Sequence, residues 1–520
     1  MRIPVLVFMI TAAAFAACRP APAPPPAPAP EPEVLPTPIV VPTPPPTRVL
    51  LQHLVDSVLA APMWRNARWG ILMVDAERGD TLVTHDADRL FMPASNQKLL
   101  TGAIALTTLG PDYRWRTPVL LHGTQRGRTF HGRVLVEGSG DPSISDTLRG
   151  GRAASAFDAV ADALAARGIT RLVGTIEPFG DALPGATTGY GWAWDDFDAG
   201  YSAAVDELFY NEGELHLRVR AGRRVGDRVT VERAPTRRYP ALRIDAVTRD
   251  SGAVPSGTPR PPRLRASYDS IGAVVTVSGT VPLGDSARLV IAYRHPADAF
   301  LSAFREALEA RGLRVTARPL ARRDTAGRPL DTLAVLSSPP FAEVLPRMEK
   351  PSQNQMAELF FRTSARVATG IGSADSAQAY GARLLASWGI GAEAVAYRDG
   401  SGLSRHDYLT PRAVVAVLDV MRRSPHFALF RDALPVAGVD GTIANRMKGT
   451  PAQGNVRAKT GTLDKTRSLS GYLTTGDGRL VLFSLLCNNF TVPNREVERV
   501  QDLLVTFLAS RALTDPMGRP

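Results

Sequence analysis

A serine and a lysine three residues apart, Ser95 and Lys98, could form a nucleophile and its base. A serine hydroxyl attacks a carbonyl only when a base takes its proton, and a neutral amine one helical turn away can do so. The chain holds only five lysines among its 61 lysine and arginine residues. Because a buried lysine can lose its proton and an arginine effectively cannot, a lysine at this position favours chemistry over a need for charge.

Two further short motifs follow this pair along the chain. Ser352–Asn354, in the stretch EKPSQNQMAELFFR, precedes a helical pattern and by itself could be a serine that caps a helix. Lys459–Thr462, in the stretch RAKTGTLDKT, falls on a predicted strand and by itself could be an exposed lysine. Each motif is modest alone, but the order S-x-x-K, S-x-N and K-T-G is a strong signal.

The apolar pattern around each motif predicts the element that carries it. Apolar residues at helical spacing run from residue 99 to 109 and end at Gly110, so Ser95 and Lys98 are predicted in the first turn of a largely buried helix. The Ser352–Asn354 motif begins another predicted helix. The Lys459 motif is predicted on a strand.

The domain organisation is predicted from changes in texture along the chain. Residues 111–289 alternate short β-like runs with turns and hold one clear helix, which predicts one or two inserted, mostly β modules. Helical patterns return afterwards, so residues 48–110 and 290–512 are predicted to form the main domain. Within it, residues 455–475 and 479–489 predict a β-hairpin before a closing helix.

The ordered motifs resemble those of the serine penicillin-recognising enzymes, in which the three elements line one cleft. The long insertion after the serine helix further resembles the D-alanyl-D-alanine carboxypeptidase/endopeptidase family, the class C low-molecular-mass penicillin-binding proteins. The stretches 138–145, 397–411 and 434–447 also match that family, and the resemblance covers about residues 50–510. Gln353 stands where many relatives carry aspartate.

The resemblance implies a fold as well as a chemistry. It implies a multidomain α+β or α/β protein with a β-lactamase-like transpeptidase domain. In that domain an antiparallel sheet is flanked by helices and joined to an all-α lobe, and the mostly β modules are inserted into it.

The resemblance also implies four catalytic residues. Ser95 attacks the carbonyl of a D-Ala-D-Ala bond to form an acyl-enzyme, and Lys98 is the general base. Ser352 relays a proton to the leaving amine. Lys459 adds positive potential that lowers the proton affinity of Lys98. Water then releases the acyl group.

The remaining matched residues are implied to bind substrate. Asn354 holds the substrate amide, Thr460 and Thr462 bind the terminal carboxylate, and Gly461 belongs to the same binding strand. The backbone N–H groups of Ser95 and Thr462 form the oxyanion hole, which can contribute about 3 kcal/mol or more to the transition state.

The function expected from the resemblance is a serine-type D-Ala-D-Ala carboxypeptidase or DD-endopeptidase that acts on peptidoglycan stem peptides and binds β-lactams. Two alternatives remain. A β-lactamase-like hydrolase is disfavoured by the large insertion and by the absence of the class-typical deacylation glutamate motif. An inactive wall-binding scaffold is disfavoured by the intact motifs. No phosphate-binding loop and no histidine pair at metal-ligand spacing is present, so no cofactor and no metal are expected.

The charge of the chain excludes little by itself. A net charge of +11 suits an anionic polymer or a membrane surface as well as nucleic acid. The arginines are scattered and not interleaved with aromatic residues, which argues against nucleic acid as a partner. The oligomeric state is left open by the sequence.

The N-terminus predicts export to the periplasm or cell envelope. Residues 1–17 have one basic residue, an apolar run and small residues, as in a signal peptide. Cleavage after Ala14–Ala16 and lipidation of Cys18 in a lipobox-like stretch both remain open. Residues 18–47 are predicted to be an extended tether, since residues 19–47 hold 14 of the 43 prolines. The other cysteine, Cys487, is predicted to be a packed thiol on a buried strand.

Overall fold

The structure, a computed structural model, describes residues 46–252, 261–269, 271–272, 274–318 and 328–513. The predicted signal peptide, Cys18 and nearly all of the predicted tether lie outside these residues. The α-helices of the described residues are α1 (Thr47–Leu59), α2 (Gln97–Leu109), α3 (Asp158–Ala166), α4 (Pro296–Ala310), α5 (Phe341–Glu349), α6 (Asn354–Thr369), α7 (Ala374–Ser387), α8 (Pro411–Arg423), α9 (Phe427–Ala433) and α10 (Asn494–Ala509).

The strands of the same residues are β1 (Arg68–Asp75), β2 (Thr81–His85), β3 (Arg116–Arg126), β4 (Thr129–Glu137), β5 (Arg171–Phe179), β6 (Glu214–Arg220), β7 (Thr230–Ala234), β8 (Ala241–Ile244), β9 (Val247–Arg249), β10 (Arg265–Tyr268), β11 (Val274–Ser278), β12 (Thr280–Pro282), β13 (Ser286–Ala292), β14 (Arg314–Ala317), β15 (Asp331–Ser337), β16 (Val395–Ala396), β17 (Tyr408–Leu409), β18 (Arg457–Leu463), β19 (Thr466–Thr474) and β20 (Leu480–Asn488).

The main sheet combines two strands from near the start of the described chain with three from near its end. Its order is β18-β19-β20-β1-β2, and every neighbouring pair is antiparallel. The prediction of a hairpin from residues 455–475 and 479–489 is wrong in one respect, because the first stretch holds two strands. They are joined by a tight turn in which Lys465 has a φ of 55°. The result is a three-stranded meander with β18 at the edge.

The two faces of the main sheet pack against different helices. Successive side chains of a strand point to opposite faces, so Ile71 and Met73 lie on one side of β1 and Leu72 lies on the other. Ile71 and Met73 belong to a core that also contains residues of α1 and α10. Leu72 belongs to a second core built largely from helices α2, α5, α6, α7, α8 and α9. The sheet is therefore covered on both faces.

Helix α2 lies inside the helical core that contains Leu72. Ten consecutive residues, from Gln97 to Leu106, are buried, so over these residues the helix is packed on every side. A helix that is buried all round holds its first turn rigidly, because its side chains are packed on every side. It ends at Gly110, whose φ of 75° is readily adopted only by glycine, as the sequence predicts.

The inserted region contains two further cores. The first lies between helices α3 and α4 and a five-stranded sheet of order β14-β5-β4-β3-β15. The second is built from the sheets β13-β6-β7, β10-β11-β8 and β12-β9. Pairing in the insertion continues beyond residue 289, because β14 pairs with β5 and β15 pairs with β3. Phe300 and Phe304 of α4 also pack on Phe157, so this helix shares the core of the insertion although its pattern matches the helices that follow.

The architecture confirms the fold class expected from the sequence, with mixed α and β content, antiparallel sheets and a helical layer. Cys487 is fully buried in β20, as predicted, and burial raises the pKa of its thiol. Among the residues that the structure describes, no helix is long and apolar enough to cross a membrane.

Candidate active site

The turn that leads into α2 carries Ser95. Residues Ala94–Asn96 form one turn of 3-10 helix, and α2 begins at Gln97, so Lys98 lies in its first turn. The side chain of Asn96 donates a hydrogen bond to the backbone carbonyl of Lys459 at 2.8 Å. The turn is therefore fastened to strand β18, and the first and third motifs meet, as the family resemblance implies.

The ammonium group of Lys98 lies at the centre of the site. Its side chain is fully buried, and its Nζ has three neighbours within hydrogen-bond distance. These are Ser95 Oγ at 2.9 Å, Asn354 Oδ1 at 2.6 Å and the backbone carbonyl of Ser401 at 2.7 Å. Lys98 thus links the nucleophile turn to the start of α6 and to a loop that follows β16.

The chemistry of these neighbours suits a lysine that acts as a base. The amide oxygen of Asn354 and the carbonyl of Ser401 can only accept, so they take two protons of the amine. The third position faces Ser95, whose hydroxyl can either accept or donate. Burial and the nearby Lys459 ammonium lower the pKa of Lys98 to about 7. In the neutral amine, the lone pair is then free to take the hydroxyl proton.

A second serine–lysine pair lies beside the first. Lys459 is also fully buried, and its Nζ donates to Ser352 Oγ at 2.8 Å and to the carbonyl of Thr460 at 2.9 Å. Burial lowers the pKa of Lys459 to about 8. The second and third motifs are thus in direct contact, and each lysine of the site serves one serine.

The backbone at Ser352 explains how this hydroxyl reaches Lys459. Ser352 has a φ of 66°, a left-handed conformation that a non-glycine residue rarely adopts. The alternative that Ser352 caps a helix is wrong, because Gln353 is the cap of α6. The side chain of Gln353 accepts a hydrogen bond from the backbone N–H of Met356 at 2.8 Å. The Ser352 hydroxyl is therefore available to the site.

Asn354 is held at both ends of its amide. Its Oδ1 accepts from Lys98, and its Nδ2 donates to the backbone carbonyl of Tyr201 at 2.7 Å. Tyr201 lies in a short turn of the inserted region, so the insertion contributes directly to the site. The sequence did not indicate this contact, because a carbonyl oxygen is present in every residue. The role of Asn354 in holding a substrate amide stays a prediction.

The close approach of β18 to the nucleophile turn requires glycine at position 461. A Cβ atom at this position would lie 2.5 Å from the carbonyl oxygen of Pro93 and 3.0 Å from the backbone nitrogen of Ser95. Contacts of 2.5 Å to backbone are not tolerated, so any side chain would push the strand away. Gly461 therefore sets the distance between β18 and Ser95.

The two threonines of this motif face different surroundings. Thr460 Oγ1 donates to Thr442 Oγ1 at 2.7 Å, whereas Thr462 is exposed on the strand beyond Gly461. Their predicted role in binding a substrate carboxylate stays a prediction, and the oxyanion hole does so too. Thr442 belongs to the stretch 434–447 that supports the family resemblance.

One buried acid near the lysines was not indicated by the motifs. Glu349, the last residue of α5, is fully buried, and neither of its carboxylate oxygens has a hydrogen-bond partner. It abuts α2, since a Cβ added at Gly102 would lie 2.6 Å from Glu349 Oε1. Burial raises the pKa of Glu349 to about 7 against the opposing charges of Lys459 and Lys98. Its position three residues before Ser352 is the only signal that the sequence offers.

The Asp399–Gly402 turn supplies the carbonyl that Lys98 contacts. The Asp399 carboxylate accepts hydrogen bonds from the backbone N–H groups of Ser401 at 3.1 Å and Gly402 at 2.6 Å, and from the indole of Trp192 at 2.9 Å. Glu358 accepts a further bond from the N–H of Ser401 at 2.8 Å. These bonds hold the stretch as a turn and aim the Ser401 carbonyl at Lys98.

Solved structures of a penicillin-binding protein share this fold. Penicillin binding protein 4 (dacB) from Haemophilus influenzae superposes with a TM-score of 0.73 at 21% identity, covering 86% of this chain and 98% of that chain. A second structure of that protein, complexed with a novel β-lactam, gives a TM-score of 0.69 at the same identity, covering 87% and 98% of the two chains. The fold is that of a penicillin-binding protein.

The family follows from the sequence of almost the whole described chain. The pattern of the D-Ala-D-Ala carboxypeptidase 3 (S13) family matches residues 51–511, so the chain belongs to that family. A D-alanyl-D-alanine carboxypeptidase from an Actinomadura species is 30% identical over 484 residues, 89% of this chain and 85% of the relative. The D-alanyl-D-alanine carboxypeptidase DacB of H. influenzae is 24% identical over 459 residues, 84% and 89% of the two chains. The protein is thus a serine-type D-Ala-D-Ala carboxypeptidase, and the resemblance stated from the motifs is confirmed.

Proposed function

We propose that this protein is an exported peptidoglycan DD-peptidase that works through an acyl-enzyme on Ser95 and cleaves both terminal and cross-linking D-alanyl bonds. The observation that carries the proposal is the 2.9 Å contact between Lys98 Nζ and Ser95 Oγ. The other two neighbours of Lys98 accept hydrogen bonds only, so the lone pair of the neutral amine points to Ser95. This is the arrangement that a serine nucleophile needs.

Acylation follows from the two serine–lysine pairs. Lys98 takes the proton of Ser95 while the Oγ–C bond forms at the D-alanyl carbonyl. The C–N bond then breaks as Ser352 gives its proton to the leaving amine and takes one from Lys459. The lowered pKa of Lys459, about 8, suits this donation near neutral pH.

Deacylation returns both lysines to their starting states. A water molecule gives one proton through Ser352 to neutral Lys459 as its oxygen bonds to the acyl carbon. The Oγ–C bond breaks, and Ser95 takes back the proton held by Lys98. The product carboxyl group leaves, and no proton is gained or lost by the site over the cycle.

A β-lactam is a second reactant expected at Ser95. The H. influenzae protein that shares the fold was solved in complex with a β-lactam. One relative, from Dictyostelium discoideum, is named a penicillin-sensitive carboxypeptidase. By analogy, Ser95 Oγ attacks the β-lactam carbonyl and opens the ring. The amine that is released stays covalently attached to the acyl group and cannot diffuse away, so the adduct is long-lived.

Covalent labelling tests the acyl-enzyme. Intact-mass measurement after incubation with benzylpenicillin should show one adduct, located at Ser95 by peptide mapping and absent in Ser95→Ala. No adduct on the wild type would contradict the proposal. Rapid multiple turnover of benzylpenicillin without an adduct would favour the β-lactamase-like alternative instead.

The endopeptidase half of the proposal needs a separate substrate. Purified cross-linked dimers and uncrosslinked pentapeptide muropeptides, each digested and analysed by mass spectrometry, should both be cleaved by the wild type. Cleavage of the pentapeptide alone would restrict the activity to carboxypeptidase action.

Export and membrane attachment are proposed from residues 1–47 alone. Expression of the full chain followed by cell fractionation should place the protein outside the cytoplasm. A Cys18→Ala variant should leave the membrane fraction if Cys18 is lipidated, and an unchanged distribution would support cleavage without a lipid anchor.

A further inference from the structure

A large cavity lies directly beside the second serine–lysine pair. Its volume is about 810 Å³, and its lining includes Thr147, Glu343, Arg347, Pro351 and Thr442. A cavity of this size is typical of ligand sites and far exceeds what a single released alanine would fill. Nothing in the chemistry described above uses it.

Two residues of the cavity lining are direct neighbours of active-site residues. Pro351 in its wall directly precedes Ser352. Thr442, which also lines the cavity, accepts a hydrogen bond from Thr460 Oγ1 at 2.7 Å. The cavity thus lies next to residues that flank Ser352 and Lys459, the pair that protonates the leaving amine in the proposed chemistry.

The walls of the cavity are held together by a tight set of polar contacts around Lys350. Its Nζ forms an ion pair with Asp440 at 2.6 Å, and its carbonyl accepts from the backbone N–H of Thr442 at 3.1 Å. These contacts join the end of α5 to the loop before β18. The wall is therefore built into the fold rather than formed by a chance gap between loops.

The cavity lining contains a second cationic residue besides Lys350. Arg347 is exposed on α5, and within the described part of the chain its guanidinium makes no ion pair and no hydrogen bond. Glu343, one helical turn earlier, is exposed and similarly without a partner there. An unpaired guanidinium at the rim of a cavity is suited to bind a carboxylate of a ligand.

We infer that this cavity binds the leaving strand of a cross-linked stem peptide, with Arg347 pairing with one of its carboxylates. The inference rests on the proposed acyl-enzyme chemistry at Ser95. A cross-linked substrate differs from a linear one on the leaving side, where a whole carboxylate-bearing peptide replaces one D-alanine. The leaving amine must meet Ser352, so the rest of that strand extends into the space beyond it.

Charge reversal on one wall tests the inference. Arg347→Glu should lower kcat/KM for a purified cross-linked dimer by at least tenfold, mostly through KM, and leave kcat/KM for a linear pentapeptide within twofold. Glu343→Lys should change the dimer reaction in the opposite direction, with a lower KM. Opposite signs from two substitutions on one helix face cannot arise from a general loss of structure.

An exposed arginine far from the cavity lining in sequence, Arg383, provides a matched control. Arg383→Glu, on the exposed face of α7 and also without a partner in the described residues, should leave both substrates unaffected. Equal loss on both substrates in Arg347→Glu, or no loss on the dimer, would overturn the inference while the labelling of Ser95 still upheld the proposed chemistry. A wild type that cleaves the pentapeptide and never the dimer would also overturn it. Failure of benzylpenicillin to label the wild type would instead count against the proposed function.

Discussion

Lys459 Nζ lies 2.8 Å from Ser352 Oγ, although 107 residues separate the two in sequence. With the Lys98–Ser95 contact at 2.9 Å, this pair gives the site two buried lysines, each bonded to one serine. The pKa values of about 7 and about 8 leave one lysine ready to accept a proton and the other able to donate one. The two lysines therefore differ in protonation near neutral pH, although both are buried.

Replacement of Lys98 by arginine should nearly abolish activity although the positive charge is kept. Arginine does not lose its proton at accessible pH, so the base is removed, and general bases typically contribute about 100- to 10,000-fold. We expect kcat/KM for a linear D-Ala-D-Ala peptide to fall by about 1,000-fold. Lys98→Met, which removes the charge and nearly keeps the volume, should be equally inactive, and thermal melts should verify that both variants fold. Arginine activity within a few-fold of the wild type would refute the base assignment.

Neutralising Glu349 should move the pH profile of the enzyme. Its charge raises the pKa of Lys98, so Glu349→Gln should lower that pKa and shift the acid limb of kcat/KM to lower pH. The profile is measured with a linear peptide over pH 5 to 9. Glu343→Gln, on the same helix but exposed, is the matched control and should leave the limb in place. A limb that stays fixed or moves to higher pH in Glu349→Gln would show that Glu349 does not tune Lys98.

The same residue should affect stability in a pH-dependent way. The pKa of Glu349 rises from an ordinary 4.5 to about 7 in the folded chain, so the folded state holds the proton more tightly than the unfolded state. The contribution of Glu349 to the free energy of unfolding therefore falls as pH rises from 4.5 through about 7. Glu349→Gln lacks this loss, so its stability relative to the wild type should increase over that window and level off above it. Denaturant unfolding at a series of pH values measures the difference, and a constant difference would contradict the burial argument.

A methyl group at position 461 should separate the strand from the nucleophile. Gly461→Ala places a Cβ 2.5 Å from the Pro93 carbonyl, so β18 or the turn must shift. Displacements of about 1 Å can cost about 100-fold in rate, and overpacking typically costs 1 to 3 kcal/mol of stability, so we expect about 100-fold slower acylation by benzylpenicillin and a lower Tm. Unchanged acylation kinetics would mean that the close approach of β18 to Ser95 is not needed.

Several features of the site were predictable because they depend on local pattern. Helical spacing after residue 98 and the glycine at 110 were enough to place Ser95 and Lys98 at one helix start. The strand pattern around Lys459 likewise placed that lysine on β18. The boundary of the insertion was less accessible, because α4 has the same amphipathic pattern whichever core it covers.

What the sequence by itself determined is the set of chemical groups and their order along the chain, since side-chain identity and helical period are local properties. Only the tertiary structure decided which groups touch Lys98 and Lys459. The Ser401 and Tyr201 carbonyls are chemically identical to every other carbonyl, and Glu349 is one of many acids until its burial without a partner is seen. The lowered pKa values of the two lysines arise from desolvation and from charges brought close by folding, and neither is present in the extended chain.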